Sequence, residues 1–254
     1  MSETGYLVNT PATEVDYACK AAKYYMEARP EMLGFVPAHC RRLLDVGCGT
    51  GMFGALVKQN RQIEVWGVEP FAAAAGKATD KLDRVITGPF EPESDLPAGA
   101  FDCIVFNDVL EHMVEPARAL RYAKLLLAAG GTLLASIPNV RHLPVLWHLG
   151  VHGSWEYGEC GLLDRTHLRF FTRSSILSMF QKEGYEVKNI SGINPYWGIP
   201  NVTRRLWRAY RVMNVLFLGK FADLKFQQYA VVAEPVAAQK LIKCFLAPAD
   251  SPDS

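Results

Sequence analysis

The chain has no apolar run approaching the roughly 20 residues that a bilayer-spanning helix needs, so no membrane span is expected. It has no excess of either charge: 27 Lys and Arg face 26 Asp and Glu, and a formal net charge of +1 gives no global field toward nucleic acid or membrane. Its six cysteines (Cys19, Cys40, Cys48, Cys103, Cys160, Cys244) contain no C-x-x-C pair and no disulfide framework, which fits reduced thiols in a cytoplasmic protein. Glu3, Asn9, Glu14 and Asp16 precede any apolar run, so no secretory leader is expected. Internal repeats and low-complexity blocks are missing too. With 254 residues, half of them apolar, the chain is long enough for one large domain or a domain plus a cap.

What is present is a glycine turn. Leu43-Leu44-Asp45-Val46-Gly47-Cys48-Gly49-Thr50-Gly51 runs from two apolar residues through an acid into three alternating glycines, with Gly54 following. This predicts a strand, a tight turn and a helix N-terminus. Glycine permits backbone angles and close approach that a Cβ blocks, and the following helix aims free N–H groups and its positive dipole end at whatever sits on the turn. Such a turn holds a nucleotide-like ligand at the carboxyl end of a parallel strand. Gly49-Thr50-Gly51-Met52-Phe53-Gly54 satisfies the dinucleotide pattern, whereas Gly47-x-Gly49-x-Gly51 behind Asp45 resembles the first motif of class I S-adenosylmethionine (SAM)-dependent methyltransferases. The acid separates the two readings. A pyrophosphate gains nothing from a carboxylate, while the ammonium and sulfonium of SAM do. Glu69, roughly 20 residues beyond the turn, is placed to accept both ribose hydroxyls of either cofactor.

Strands are expected at 42–46, 64–68, 84–87, 101–106, 132–137, 185–190 and 229–233. Helices are expected at 51–59, from 72, from Pro116 to about Leu127 with Gly130-Gly131 as the stop, and at 173–182 behind a Thr172 N-cap. This alternation argues a parallel sheet with helices on both faces. Phe101-Asp102-Cys103-Ile104-Val105 followed by Asp108-Val109-Leu110-Glu111-His112 resembles a second motif of the same family, and Pro138-Asn139 a third. The resemblance covers residues 20 to about 235. It implies an α/β, Rossmann-like seven-stranded sheet with strand seven antiparallel, and SAM as cofactor. It also implies that Asp45, Gly47, Gly49, Gly51 and Glu69 bind that cofactor, with Asn107 and Asp108 along its methionine part. Pro89 stands where an adenine-contacting acid is common, so that contact passes to Phe90 or Glu91. Arg29 would meet the SAM carboxylate, ending a helix at 16–29 that covers the cofactor; core packing is the plainer reading of its Tyr24 and Tyr25.

Two insertions break the alternation, at 140–172 and 193–226. The first holds His142, His148, His152 and His167, and ends in Asp164-Arg165-Thr166-His167-Leu168-Arg169-Phe170-Phe171-Thr172, which closely resembles a signature of bacterial methyltransferases of sugar, polysaccharide or quinone-type biosynthesis. Methyl transfer from a sulfonium needs alignment and exclusion of water, because the leaving group is already good. An oxygen nucleophile also benefits from a general base, and histidine suits neutral pH. His167, with Asp164 to orient it, and His112 are the candidates. His148 and His152 are four residues apart, but Gly150 and Gly153 oppose a helix, and no metal site is expected. The run 203–221, with Arg204, Arg208 and Arg211 at helical spacing, reads as a lid helix over the substrate pocket. Its other readings are an interfacial helix on an anionic membrane and an RNA-binding stripe, which the neutral charge disfavours.

The expected organisation is an N-terminal arm and covering helix at 1–40, a methyltransferase domain at 41–235 with a lid built from the insertions, and a partly disordered tail at 236–254. The expected acceptor is a small molecule or a glycan or lipid-linked intermediate, methylated on oxygen. The setting is cytoplasmic, with peripheral membrane contact through 203–221 left open. A SAM-binding scaffold without catalysis is the rival from another class. A nicotinamide-dependent reductase is opposed by Asp45, by Asp-Val-Leu-Glu-His and by the lack of a Y-x-x-x-K pair.

Overall fold

The computed structural model describes residues 28–195 and 203–236. Most of the helix expected at 16–29, the loop around Trp197, the tail beyond 236 and the side chains of Arg204, Leu206 and Trp207 lie outside the described residues. Seven strands, β1 (Arg42–Val46), β2 (Glu64–Glu69), β3 (Arg84–Thr87), β4 (Phe101–Asn107), β5 (Leu127–Pro138), β6 (Tyr185–Pro195) and β7 (Phe226–Pro235), form one sheet in the order β3-β2-β1-β4-β5-β7-β6. β7 runs antiparallel to both neighbours and the other strands are mutually parallel, as the sequence predicts.

The central strands are near-continuous apolar runs because helices cover both faces. Alternate residues divide between two cores. Leu44, Val46, Ile104 and Phe106 meet Leu120 and Ala123 of α4 (Pro116–Leu126) and Ile176 and Phe180 of α6 (Arg173–Lys182). Leu43, Val65, Cys103 and Val105 meet Met32 of α1 (Pro30–Leu33) and Phe53 and Val57 of α2 (Met52–Asn60). Ala74, Ala75 and Ala78 of α3 (Ala72–Ala78) are buried beside β2. Ala119, Leu120, Ala123 and Leu126 recur at helical spacing along α4, which gives it one inward stripe.

The helix from Pro116 ends at Leu126, within a residue of its expected end, because Gly99 and Ala100 donate to the Leu125 and Leu126 carbonyls, each at 2.9 Å, and draw the chain into pairing with β4. Three other expectations are corrected. β5 therefore starts at Leu127, with an irregular register across Phe101 and Cys103. β6 extends to Pro195 because its last residues pair with the start of β7. Gly150 does not prevent a helical turn: α5 (Leu143–Trp147) passes into a π-helical turn over His148–His152.

Both insertions are tied to the carboxyl end of β5. Val140 donates to the Phe171 carbonyl at 3.0 Å. Asn139 Nδ2 donates to the carbonyls of Asp223 and Phe226, both at 3.0 Å, beside α7 (Thr203–Leu216) and the short turn Ala222–Lys225. Among the described residues no helix is long and apolar enough to cross a membrane.

Thr172 caps α6 as expected, in a reciprocal pairing with Ser175. Thr172→Ala should lower stability by about 1 kcal/mol, read as a shift of the urea midpoint with an unchanged slope; an unshifted midpoint would remove the cap from the account of this helix.

Candidate cofactor and transfer site

The carboxyl ends of β1, β2 and β4 open on a cavity of about 560 Å³. Arg29, Asp45, Gly47, Gly49, Glu69, Phe90, Asn107 and Asp108 all line it, and His112 stands on the same wall. Gly51 does not line it. It opens α2 at φ 75°, and its N–H closes the turn on the Cys48 carbonyl at 2.9 Å. Gly47 is required twice over: φ is 68°, and a Cβ there would lie 2.6 Å from Val109 Cγ2.

The turn carries two buried acids. Glu69 is fixed by backbone donors, Gly49 N–H to Oε2 at 2.8 Å and Phe71 N–H to Oε1 at 2.9 Å. Each oxygen keeps a second lone pair. Burial raises the Glu69 pKa, and the two N–H groups oppose that shift. Asp45 is driven further, to about 8, by burial first and then by the Glu69 charge. Its Oδ2 has no hydrogen-bond partner among the described residues, and neither end of the buried Asn107 amide has one. A cavity that gathers a carboxylate, an amide and two glycines around such atoms fits a cationic, amide-reading ligand. Cys48 also lines the wall, and burial pushes its thiol up, which makes it an inert space-filler.

Asp108 (φ 53°) and Arg29 (φ 49°) both adopt left-handed backbone. Their side chains meet at 2.6 Å, and Ser136 and Gln228 each donate to Asp108 at 2.8 Å. Arg29 also reaches Glu31 at 3.3 Å. Phe90 is steadied by Phe106, edge-on at 5.6 Å, and by the tilted ring of Tyr122 at 4.8 Å.

Of the three candidate catalytic residues, only His112 lines the cavity. His167 is buried next to it, ring centroids 4.7 Å apart. Asp164 Oδ1 accepts the Thr166 hydroxyl at 2.8 Å, and that oxygen lies 3.0 Å from His112 Nδ1. Asp164 is thus linked through Thr166 to His112, whereas His167 Nδ1 is held by the Leu162 carbonyl at 3.1 Å. Glu111 and Thr166 were not among the sequence candidates, although both sit inside motifs that were.

A methyltransferase-domain family pattern matches residues 17–190. The chain belongs to this methyltransferase family. A ubiquinone biosynthesis O-methyltransferase of Pseudomonas aeruginosa is 32% identical over 165 residues, 60% of this chain and 68% of that one. Its counterpart in Xanthomonas axonopodis pv. citri is 27% identical over 177 residues, 66% of this chain and 70% of that one. A SAM-dependent methyltransferase structure from Archaeoglobus fulgidus superposes with a TM-score of 0.58 at 20% identity, over 84% of this chain and 94% of that chain. The methyltransferase uses SAM as its methyl donor. When bound, that group supplies a methyl on a positively charged sulfur. The cavity wall presents the Asp45 and Glu69 carboxyl groups, the backbone of Gly47 and Gly49 and the ring of Phe90, and these would hold such a donor.

Glu69→Ala should weaken SAM binding by tenfold or more, since losing hydrogen bonds to a charged group costs about 1.5–3 kcal/mol; calorimetric affinity within twofold of the parent would exclude the ribose role. Asp45 has a raised pKa, so the native state holds its proton more tightly than the unfolded chain does. Its contribution to stability is complete below pH 3.8 and is lost as pH rises through about 8. Asp45→Asn should therefore gain stability over the parent between about pH 6 and pH 9 in urea titrations without ligand, and an equal pH dependence in both proteins would refute this.

Proposed function

We propose that the methyltransferase alkylates an oxygen of a small acceptor, a phenolic or glycan intermediate of the kind that carries an apolar tail, giving S-adenosylhomocysteine. The observation that carries this reading is His112. It stands on the cavity wall beyond β4, with its Nδ1 held by Thr166, which fixes the ring on the wall that an incoming hydroxyl meets. The names of the ubiquinone-pathway relatives support oxygen as the acceptor atom.

In this reading Arg29 meets the SAM carboxylate, and His167 and Asp164 act as positioning residues behind His112. Met113, Val114 and Ala119 form an apolar end of the cavity for the acceptor. Exposed apolar side chains at Leu146, Leu149 and Val151, and at Val212, Val215, Leu216, Phe217 and Leu218 beside exposed Arg208 and Arg211, supply a face for peripheral contact with an anionic membrane that delivers such an acceptor. The 140–172 segment closes the site as a lid.

Purified protein would be incubated with labelled SAM and a panel of catechols, other phenols and sugar hydroxyl compounds. Transfer of label to an oxygen is the expected result. His112→Ala should lower turnover by about 10²–10⁴-fold while leaving SAM affinity within twofold; unchanged turnover would reject the role of this imidazole. SAM binding with no transfer to any acceptor would favour the scaffold.

A further inference from the structure

Gln228 lies on β7, paired with Pro138 of β5 on one side and Ile193 of β6 on the other. It does not line the cavity, yet both ends of its carboxamide engage residues around it. Nε2 donates to Asp108 Oδ2 at 2.8 Å, and Oε1 accepts from Arg29 at 3.1 Å and from Asn194 at 2.6 Å. These partners fix which end of the amide points where, since a guanidinium only donates and an ionised carboxylate only accepts. Ser136 Oγ completes the set, accepting from Arg29 at 2.9 Å and donating to Asp108 Oδ1 at 2.8 Å.

The backbone around this amide is unusual. Among the described residues four other than glycine adopt positive φ: Arg29, Asp108, Asn194 and Leu218. Gln228 bonds the first three. Left-handed backbone is costly for arginine and aspartate, and it persists where neighbours over-determine it, as they do in ligand clamps. The three come from separate places: Arg29 precedes α1, Asp108 follows β4, and Asn194 belongs to β6. Pairing of β6 with β7 runs through the backbone ladder and does not call for this convergence.

Arg29 and Asp108 line the cavity with opposite charges 2.6 Å apart. Such a pair is the complement of an amino-acid zwitterion, the guanidinium suiting a carboxylate and the aspartate an ammonium. The match holds only while both groups keep their places on the wall, and Gln228 bonds one atom of each. We propose that Gln228 is a positioning residue for the methyl donor: its carboxamide fixes Arg29 and Asp108 in the alignment that grips the methionine end of SAM. This role rests on the cavity being the SAM site, and it adds β6 and β7 to the donor-binding machinery. Gln228 touches neither donor nor acceptor and moves no proton.

The test is calorimetry on the full-length protein with S-adenosylhomocysteine and with 5′-methylthioadenosine, which keeps the adenine, ribose and sulfur and lacks the amino-acid end. The parent should bind S-adenosylhomocysteine more tightly. Gln228→Met, of similar length but without hydrogen bonds, should weaken S-adenosylhomocysteine about tenfold or more and leave methylthioadenosine within about twofold of the parent. Gln228→Glu keeps the acceptor but sets a second carboxylate against Asp108, and should show the same selective loss. Asn194→Gly tolerates the left-handed backbone and removes one bond to the amide, so it should give a smaller loss of the same kind. Unchanged S-adenosylhomocysteine affinity in Gln228→Met would overturn the positioning role. So would an equal fall for both ligands in Gln228→Met and in Asn194→Gly, which would make the amide general packing. In either case methylthioadenosine binding by the parent leaves the SAM site standing. A parent that binds neither ligand would overturn the SAM site itself, and the role of Gln228 with it.

Discussion

The structure depends on keeping two carboxylates out of water at the ends of neighbouring strands. Asp45 lies at the end of β1 and Glu69 closes β2, and in the free protein the Glu69 charge adds to burial in raising the cost of ionising Asp45. Backbone N–H groups hold Glu69 in place but do not neutralise it. The burial that secures the sheet thus also stores unfavourable electrostatics at its carboxyl edge. A cationic ligand relieves that cost as it binds, so affinity comes partly from a penalty already present in the fold. A pyrophosphate would add to the penalty, which is the physical ground for preferring a sulfonium cofactor over a dinucleotide.

Much of this was legible in the sequence. The glycines, the acid before them and Glu69 beyond them report local backbone geometry, and local geometry is what a motif encodes. The seven-stranded sheet and its antiparallel seventh strand came with the family resemblance. The misjudged boundaries have a common cause. β5 was expected from Thr132 and starts at Leu127, because the carbonyls of Leu125 and Leu126 are claimed by residues 99 and 100, and no local pattern reports a partner that lies across the sheet. The same limit applied to the histidines. Asp164 and His167 lie three residues apart and read as a pair, but Thr166 is the link from Asp164, and it leads to His112 instead. Nothing in the sequence reports that Glu111 is fully buried; only the fold shows it.

The two insertions divide the work. The first brings Thr166 and His167 against the turn after β4, so His112 on the cavity wall is backed by an added segment rather than by the sheet. The second forms α7 and returns through the Ala222–Lys225 turn, and Asn139 grips both that turn and the start of β7. Members of one fold family can keep the donor pocket while changing the acceptor, because the acceptor side is built from segments that the sheet does not need for its own stability.

Gln228 has a role in timing. It donates to Asp108 and accepts from Arg29 at 3.1 Å and from Asn194 at 2.6 Å, and Asn194 also reaches Glu31 at 3.1 Å. Segments on either side of the first glycine turn are therefore joined through a strand nearly two hundred residues later, one that has to slide between β5 and β6. Such distant closures carry a large entropic cost and come late in folding. A chain still emerging from the ribosome would have its glycine turn formed but the Arg29 and Asp108 wall of its cavity unfastened until the last strand arrives.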